Sequence, residues 1–248
     1  MKPKPKQQLN GELVFRMYCN GVKIGNLSAD FDRHDLIDRV NTFIEDYQGQ
    51  LALWQERGMP QTFDEFNLVT ADKYEPHWNQ RTRSHLFTGT ATAFQQSRVR
   101  VATLIPFVKQ HYYFDPVLGD DISKMDSVLP ETLAEKDNRV ICLFQEKQTG
   151  KVGTFITNTI PIWHEMFSHF FCLPFYTYER VTNGEMLREE NITDWSEAYF
   201  QQYYDDVTID RWDIFYYIYG LLHHPGYIEE SLGSLANGLP RIPFASDF

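Results

Sequence analysis

The sequence predicts an α+β fold: an N-terminal strand and long helix, a β-rich middle with a hairpin, and a helical C-terminal end. Three observations carry this. Leu36, Ile37, Val40, Phe43, Ile44, Tyr47, Leu51 and Trp54 recur at helical spacing behind a capping Asp32, and the run stops at Gly58 with Pro60 beyond it. Val140 to Phe144 and Val152 to Ile156 flank Lys147-Gln148-Thr149-Gly150-Lys151, where a glycine supplies the positive φ of a hairpin turn. Residues 194–206, 208–223 and 225–236 read as three consecutive short helices, with start signals at Thr193-Asp194, Thr208 and Pro225.

The other elements follow in order. Residues 1–9 form a flexible basic arm, because Pro3 and Pro5 alternate with Lys2, Lys4 and Lys6 and block a helix. Leu13 to Tyr18 reads as a strand and Asn20-Gly21 as a turn. Asn67 to Glu75 reads as a strand and loop, and Trp78 to about Gly89 as a second, shorter helix. From Arg98 to Phe114, β-branched and aromatic residues interrupted by Pro106 predict strands around a bend. Residues 115–138 are turn-rich with a short helix near 131–136, and the aromatic stretch Trp163 to Tyr178 holds another strand. The expected organisation is an arm at 1–9, a strand and long helix at 10–70, a β-rich recognition region at 71–180 and a helical subdomain at 181–248.

With 248 residues, 42% apolar and 23% charged, the chain is long enough to bury a core and too apolar to be disordered. Three cysteines far apart (Cys19, Cys142, Cys172) make neither a disulfide framework nor a metal knuckle. No apolar run approaches the roughly 18 residues of a membrane span, and the basic N-terminus lacks an apolar signal core, so a soluble, cytoplasmic protein is expected. The net charge of −11 is unevenly spread. Lys73 to Tyr112 holds six basic residues against one acid, whereas Asn183 to Phe248 holds three arginines against twelve acids. Charges more than about 10 Å apart are screened in ordinary salt, so a basic face can work on an acidic molecule.

Several chemistries are excluded. A base-amino methyltransferase needs a Gly-rich cofactor loop and an Asn/Asp-Pro-Pro-aromatic loop for the flipped base. Neither is present, and Leu173-Pro174-Phe175-Tyr176 is only a loose echo. Gly150-Lys151 is followed by Val152 rather than Ser or Thr, so it is no phosphate loop. The chain is expected to use no cofactor. His164 and His169 stand at i, i+5, which on a helix leaves them about 100° further apart than the i, i+4 pair of a helical zinc site. They read as ordinary partly buried histidines, and His223-His224 as a helix-end cap. No nucleophile and no metal site stand out.

The positive signal is basic. In Trp78-Asn79-Gln80-Arg81-Thr82-Arg83-Ser84, Arg81 and Arg83 with Asn79 are residue types that contact phosphates and base edges. Arg98 and Arg100 share a face if they lie on one strand. The competing reading is a solvated surface paired with the acidic C-terminal third. Tyr199, Phe200, Tyr203, Tyr204, Trp212, Phe215, Tyr216, Tyr217 and Tyr219 form an aromatic cluster among acids that repel phosphate, and so read as core or protein interface.

Asp213-Ile214-Phe215-Tyr216-Tyr217-Ile218-Tyr219-Gly220-Leu221-Leu222-His223-His224-Pro225-Gly226-Tyr227, followed by Leu239-Pro240-Arg241-Ile242-Pro243, resembles the ending of Type ISP restriction-modification enzymes. Phe15 to Lys23, Pro106-Phe107-Val108-Lys109-Gln110 with Tyr113-Phe114-Asp115, Asn138 to Cys142 and Thr157 to Pro161 match the same family in order. Ile24-Gly25-Asn26-Leu27 and Ile105 depart from its pattern, and whatever support those positions give catalysis or docking is lost. The resemblance implies a target-recognition domain with no catalysis of its own. Such a domain reads a short double-stranded DNA sequence and orients an adenine methyltransferase and helicase-nuclease module in phage defence. With Met1 just before the matched region, the chain is expected to be a specificity piece of a split system, a remnant, or a piece of a longer protein. Lys73, Asn79, Arg81, Arg83, Arg98, Arg100 and Lys109, with Lys147, Gln148 and Lys151 at the hairpin tip, are the expected DNA contacts, since a two-stranded ribbon fits the major groove. The alternatives are a protein-interaction module without DNA affinity and an acidic DNA mimic.

Overall fold

The computed structural model describes residues 8–23, 27–60, 78–119, 122–182, 184–229 and 238–246. In chain order its elements are β1 (Gln8–Asn10), α1 (Gly11–Val14), β2 (Val22–Lys23), β3 (Ala29–Asp30), α2 (Arg33–Glu56), α3 (Gln80–Phe87), β4 (Val99–Ile105) and β5 (Val108–Tyr113). There follow α4 (Ile122–Asp126), α5 (Thr132–Asp137), β6 (Val140–Glu146), β7 (Val152–Thr157), β8 (Ile160–Trp163), β9 (Phe167–Pro174), β10 (Tyr176–Arg180) and β11 (Met186–Glu190). Then come α6 (Asp194–Tyr204), α7 (Arg211–Leu221) and β12 (Arg241–Pro243). This is the α+β class expected. The expectations for residues 1–7, Ile24 to Asn26, the strand at Asn67 to Glu75 and residues 230–236 lie outside the described residues.

Packing divides the chain into two compact units, one of residues up to Gly21 with those from Lys124 onward, the other Val22–Ser123. These are not the contiguous segments read from the sequence. Long-range pairing is the reason, because β1 runs antiparallel to β12 with Leu9 opposite Ile242, which ties the two ends of the chain into one unit.

In the Val22–Ser123 unit, α2 begins where expected: the Asp32 carboxylate accepts from the backbone N–H of His34 (2.7 Å) and Asp35 (3.1 Å). The helix buries Leu36, Val40, Phe43, Ile44, Tyr47, Leu51 and Trp54, with Ile37 at the edge of the stripe. Trp78 stacks on Tyr47 with ring centroids 5.5 Å apart and donates its indole N–H to Asp46 (3.0 Å). β4 and β5 pair antiparallel from Val99↔Tyr113 to Ile105↔Val108 around a Pro106-Phe107 turn, and β3 continues the sheet beside β5.

In the other unit β6 lies between β7 and β9, so Val140 to Leu143 are buried on both faces. The β6–β7 hairpin has the expected register, Val140↔Thr157 to Gln145↔Val152, and Gly150 takes φ 69° in its turn. Phe175, Phe200, Ile214, Phe215 and Ile218 form the core with Ile141, Leu143 and Leu173, which settles most of the late aromatics as packing.

Four local expectations are corrected. Gln8 and Leu9, placed in the flexible arm, belong to β1, and Leu9 is buried. Leu13 to Tyr18 is not a strand: Gly11–Val14 is helical, Phe15 bridges Ile192, and Arg16 N–H donates to Asn191 O (2.8 Å). Its polar groups are met one at a time by a distant segment rather than by a ladder. At Gly21 an added Cβ would lie 2.7 Å from Pro161 O, so the glycine serves a close backbone approach. The helix assigned to 208 starts at Arg211, because Asp210 and Asp213 exchange side-chain-to-backbone bonds of 2.9 and 3.0 Å, while Thr208 is turned to Asp206.

The three cysteines, far apart in sequence, meet in space. Cys142 faces Cys172 across β6–β9, and Cys19 and Cys172 exchange both backbone hydrogen bonds (3.1 and 2.7 Å). All three are buried free thiols, and contact with Cys172 together with burial pushes the Cys19 thiol up and away from reactivity.

Candidate nucleic-acid interface

The turn tip of the three-stranded sheet is the better-built candidate surface. Lys147, Gln148 and Lys151 are exposed in the β6–β7 turn. The turn is braced from within: Thr149 Oγ1 donates to Glu146 (2.6 Å), Lys151 N–H to Thr149 Oγ1 (3.1 Å), and the Gln145 amide to Gly150 O (3.0 Å). Among the described residues, the Lys147 and Lys151 ammonium groups stand beyond ion-pair distance of any carboxylate.

A second turn lies alongside. Lys147 N–H donates to Met166 O (2.7 Å), Ser168 Oγ to Gln145 O (3.2 Å), and His169 pairs with Gln145 across the strands. The strand expected within Trp163 to Tyr178 is β9, and helical spacing does not describe this stretch. His164 precedes a turn and His169 lies on β9, so the residues that failed as a helical metal pair stand beside the predicted hairpin tip. The available signal was two polar turns whose flanking strands belong to one sheet, which a single sequence does not pair. Behind both turns Phe144 packs on Phe167 (4.8 Å) and Phe170 (6.5 Å), and only a glycine at 153 leaves room for its ring.

The cations of the Val22–Ser123 unit are divided by the fold. Asn79 caps α3, its oxygen accepting from Thr82 N–H (2.9 Å). Arg81 and Arg83 are on α3, two residues apart and therefore about 200° around the helix from one another. Thr82 between them is buried, and Arg81 Nε reaches Pro116 O (3.3 Å). Together they make no single basic face.

Arg98 and Arg100 do not share a strand face either. Arg98 ends a 3-10 turn and pairs with the buried Asp115 carboxylate, which also accepts from Thr92 Oγ1 (3.1 Å) and the N–H groups of Val117 (2.8 Å) and Leu118 (3.0 Å). Arg100 is only 4% exposed, with its guanidinium over the Phe114 ring at 4.7 Å. Lys109 is exposed on β5, and Lys73 lies outside the described residues. Beside this group, Gln48, Thr90, Thr92, Gln95, Arg98 and Pro116 help line a cleft of about 530 Å³.

Among the described residues no helix is long and apolar enough to cross a membrane, and no three His, Cys, Asp or Glu side chains gather as a metal site.

No curated protein matches the chain. Among solved structures, one described as a DrdV–DNA complex is similar at 28% identity and TM-score 0.76, covering 94% of this chain and 22% of that one. A nuclease-deletion mutant of the Type ISP restriction-modification enzyme LlaGI with a DNA substrate mimic shares the fold at 22% identity and TM-score 0.71, over 94% of this chain and 17% of that one. The ATP-dependent Type ISP enzyme LlaBIII bound to DNA does so at 20% and 0.69, over 92% and 14%. The chain thus spans about a fifth or less of the length of these proteins. The family model described as the Type ISP C-terminal specificity domain matches residues 13–248, and the chain belongs to that family.

Proposed function

We propose that the chain recognises a short sequence of double-stranded DNA and orients the methyltransferase and helicase-nuclease modules of a Type ISP-like restriction-modification system, fused or separate, without chemistry of its own. The family match over residues 13–248 carries this reading. It is supported by the similarity to a DrdV structure that is itself a complex with DNA. The paired turns around Lys147–Lys151 and His164–Met166 give it a physical surface: cations and amide donors held forward by a packed sheet, the kind of ribbon end that enters a major groove. The proposed contacts are Lys147, Gln148 and Lys151 in the one unit and, taken separately, Lys109 with either Arg81 or Arg83 in the Val22–Ser123 unit. Arg98 and Arg100 act on this reading as supports of the fold.

The test is a binding titration on short duplexes with a randomised centre, at several salt concentrations. Each cation that meets a phosphate releases counterions, so affinity falls steeply as salt rises. With a net charge of −11, the isolated chain is expected to bind on the order of micromolar at physiological salt. Selection and sequencing of bound duplexes should return a preferred site. Absence of binding at every salt, with and without a methyltransferase partner, would favour the protein-interaction reading.

A further inference from the structure

We infer that Phe107, at the tip of the β4–β5 hairpin, is a wedge that enters between two stacked base pairs of the bound duplex. This rests on the DNA-recognition reading above. Isolated exposed hydrophobic residues are ordinary and need no explanation. Among the described residues Met59 also joins an exposed apolar side chain to a positive φ (57°), but it is half exposed and follows Gly58 at the end of α2. In Phe107 two unfavourable features coincide in full, within a turn closed by paired strands. Its side chain is 100% exposed, and its backbone takes φ 71°, in the left-handed region that disfavours side chains. It follows Pro106 in the two-residue turn closing the Ile105↔Val108 pair, with the positive φ that the third residue of a type II turn adopts, where Gly or Asn is the usual choice. A glycine there would remove both the strain and the exposed ring. Non-glycine residues in such conformations concentrate at functional positions, and this one is fixed by the ladder on either side of it.

The surroundings select the occupant. No Asp or Glu occurs between Glu75 and Asp115 in a chain of net charge −11, so the hairpin itself carries no carboxylate, and Asp30 on the neighbouring β3, opposite His111, is paired with Arg39 (2.9 Å). Lys109, two residues beyond the ring, is exposed, and His111 is on the same strand face. An apolar ring leading a hairpin with a cation behind it is suited to polyanionic duplex DNA. Apolar side chains of this kind unstack a base step and kink the helix. The flexible pyrimidine–purine steps yield most readily. The wedge therefore places a sequence preference for such a step on a residue that makes no hydrogen bond to a base.

The experiment compares the full chain with Phe107→Gly and Phe107→Leu on short duplexes with a randomised centre at low salt. Affinity is read by titration and unstacking by permanganate reactivity of thymines. Phe107→Gly should melt no lower than the wild type, because it relieves the left-handed strain, yet bind about tenfold more weakly. It should also lose a permanganate-reactive step that the wild type produces, with Phe107→Leu in between. Wild-type binding without a reactive step, or unchanged affinity and reactivity in Phe107→Gly, would overturn the wedge and leave DNA recognition standing. Loss of association with a methyltransferase module, with DNA binding unchanged, would assign the ring to a protein pocket and overturn it as well. Failure of the wild type to bind any duplex would remove the DNA-recognition reading itself.

Discussion

The side chain of Asn191 takes both backbone groups of Met17: its oxygen accepts the Met17 N–H (2.9 Å) and its amide donates to the Met17 carbonyl (2.8 Å). The same amide donates to Pro174 O (2.8 Å), and Asn191 is fully buried. One side chain thus replaces a missing strand partner for a segment that forms no strand. Asn191→Ala should destabilise the chain by roughly 3 kcal/mol, because a buried carbonyl and two half-buried backbone groups lose partners. Urea denaturation measures it, and a loss below about 1 kcal/mol would mean that water takes over these bonds.

Removing the Arg98 guanidinium leaves the Asp115 carboxylate buried with only its neutral donors. Arg98→Met should cost about 3 kcal/mol in stability, the scale expected when one partner of a buried pair is deleted. DNA affinity measured below the melting transition should keep its salt slope. A slope reduced by about one unit would place Arg98 on a phosphate instead.

At the other candidate surface the expectation is reversed. Lys147→Ala with Lys151→Ala should leave the melting temperature nearly unchanged, since both side chains are exposed, and lower the salt slope by about two units. Gln148→Ala should relax preference at one base position by about 1–3 kcal/mol if its amide reads an adenine. Full affinity in the double lysine variant would remove the hairpin tip from the interface.

Two histidines should titrate on opposite sides of the ordinary histidine value. A hydrogen bond to its own backbone and the Asp38 carboxylate 3.0 Å away raise His34. Burial, with Arg81 nearby, lowers His85. His34 therefore adds stability that is complete below the unfolded value near 6.5 and fades as pH rises through its folded value. The contribution of His85 is complete above about 6.5 and fades as pH falls toward its lower folded value. An NMR titration of the ring carbons checks both, and a coincident midpoint would contradict the local geometry at one of them.

What the sequence alone determined is what local rules govern. The stripe from Leu36 to Trp54 and its Asp32 cap are interactions within a few residues, so α2 was legible to its first turn. Gly150 and Pro106 fixed two hairpins, because turn conformation is a property of the residues in the turn. The family's C-terminal block, Asp213 to Tyr227 with Leu239 to Pro243, was also legible, since it is a string of residues. Local rules were silent elsewhere. Met186 to Glu190 has no strand alternation and becomes β11 only through its partner β10, where Arg188 lies over the Tyr176 ring at 4.4 Å.

The candidate site shows the same division more sharply. Composition marked Arg81, Arg83, Arg98, Arg100, Lys109, Lys147 and Lys151 alike as cations. Whether a guanidinium faces water or closes on a carboxylate is set by which distant residue packs against it. Asp115 draws in Arg98, Phe114 covers Arg100, and the pitch of α3 turns Arg81 and Arg83 apart. The sheet register does the converse at the other surface, bringing Met166 and Ser168 against Lys147 and Gln145. Residue type determined which side chains carry charge. Only the tertiary structure decided which of them it leaves facing solvent, because burial and pairing depend on contacts between segments that the chain order does not contain.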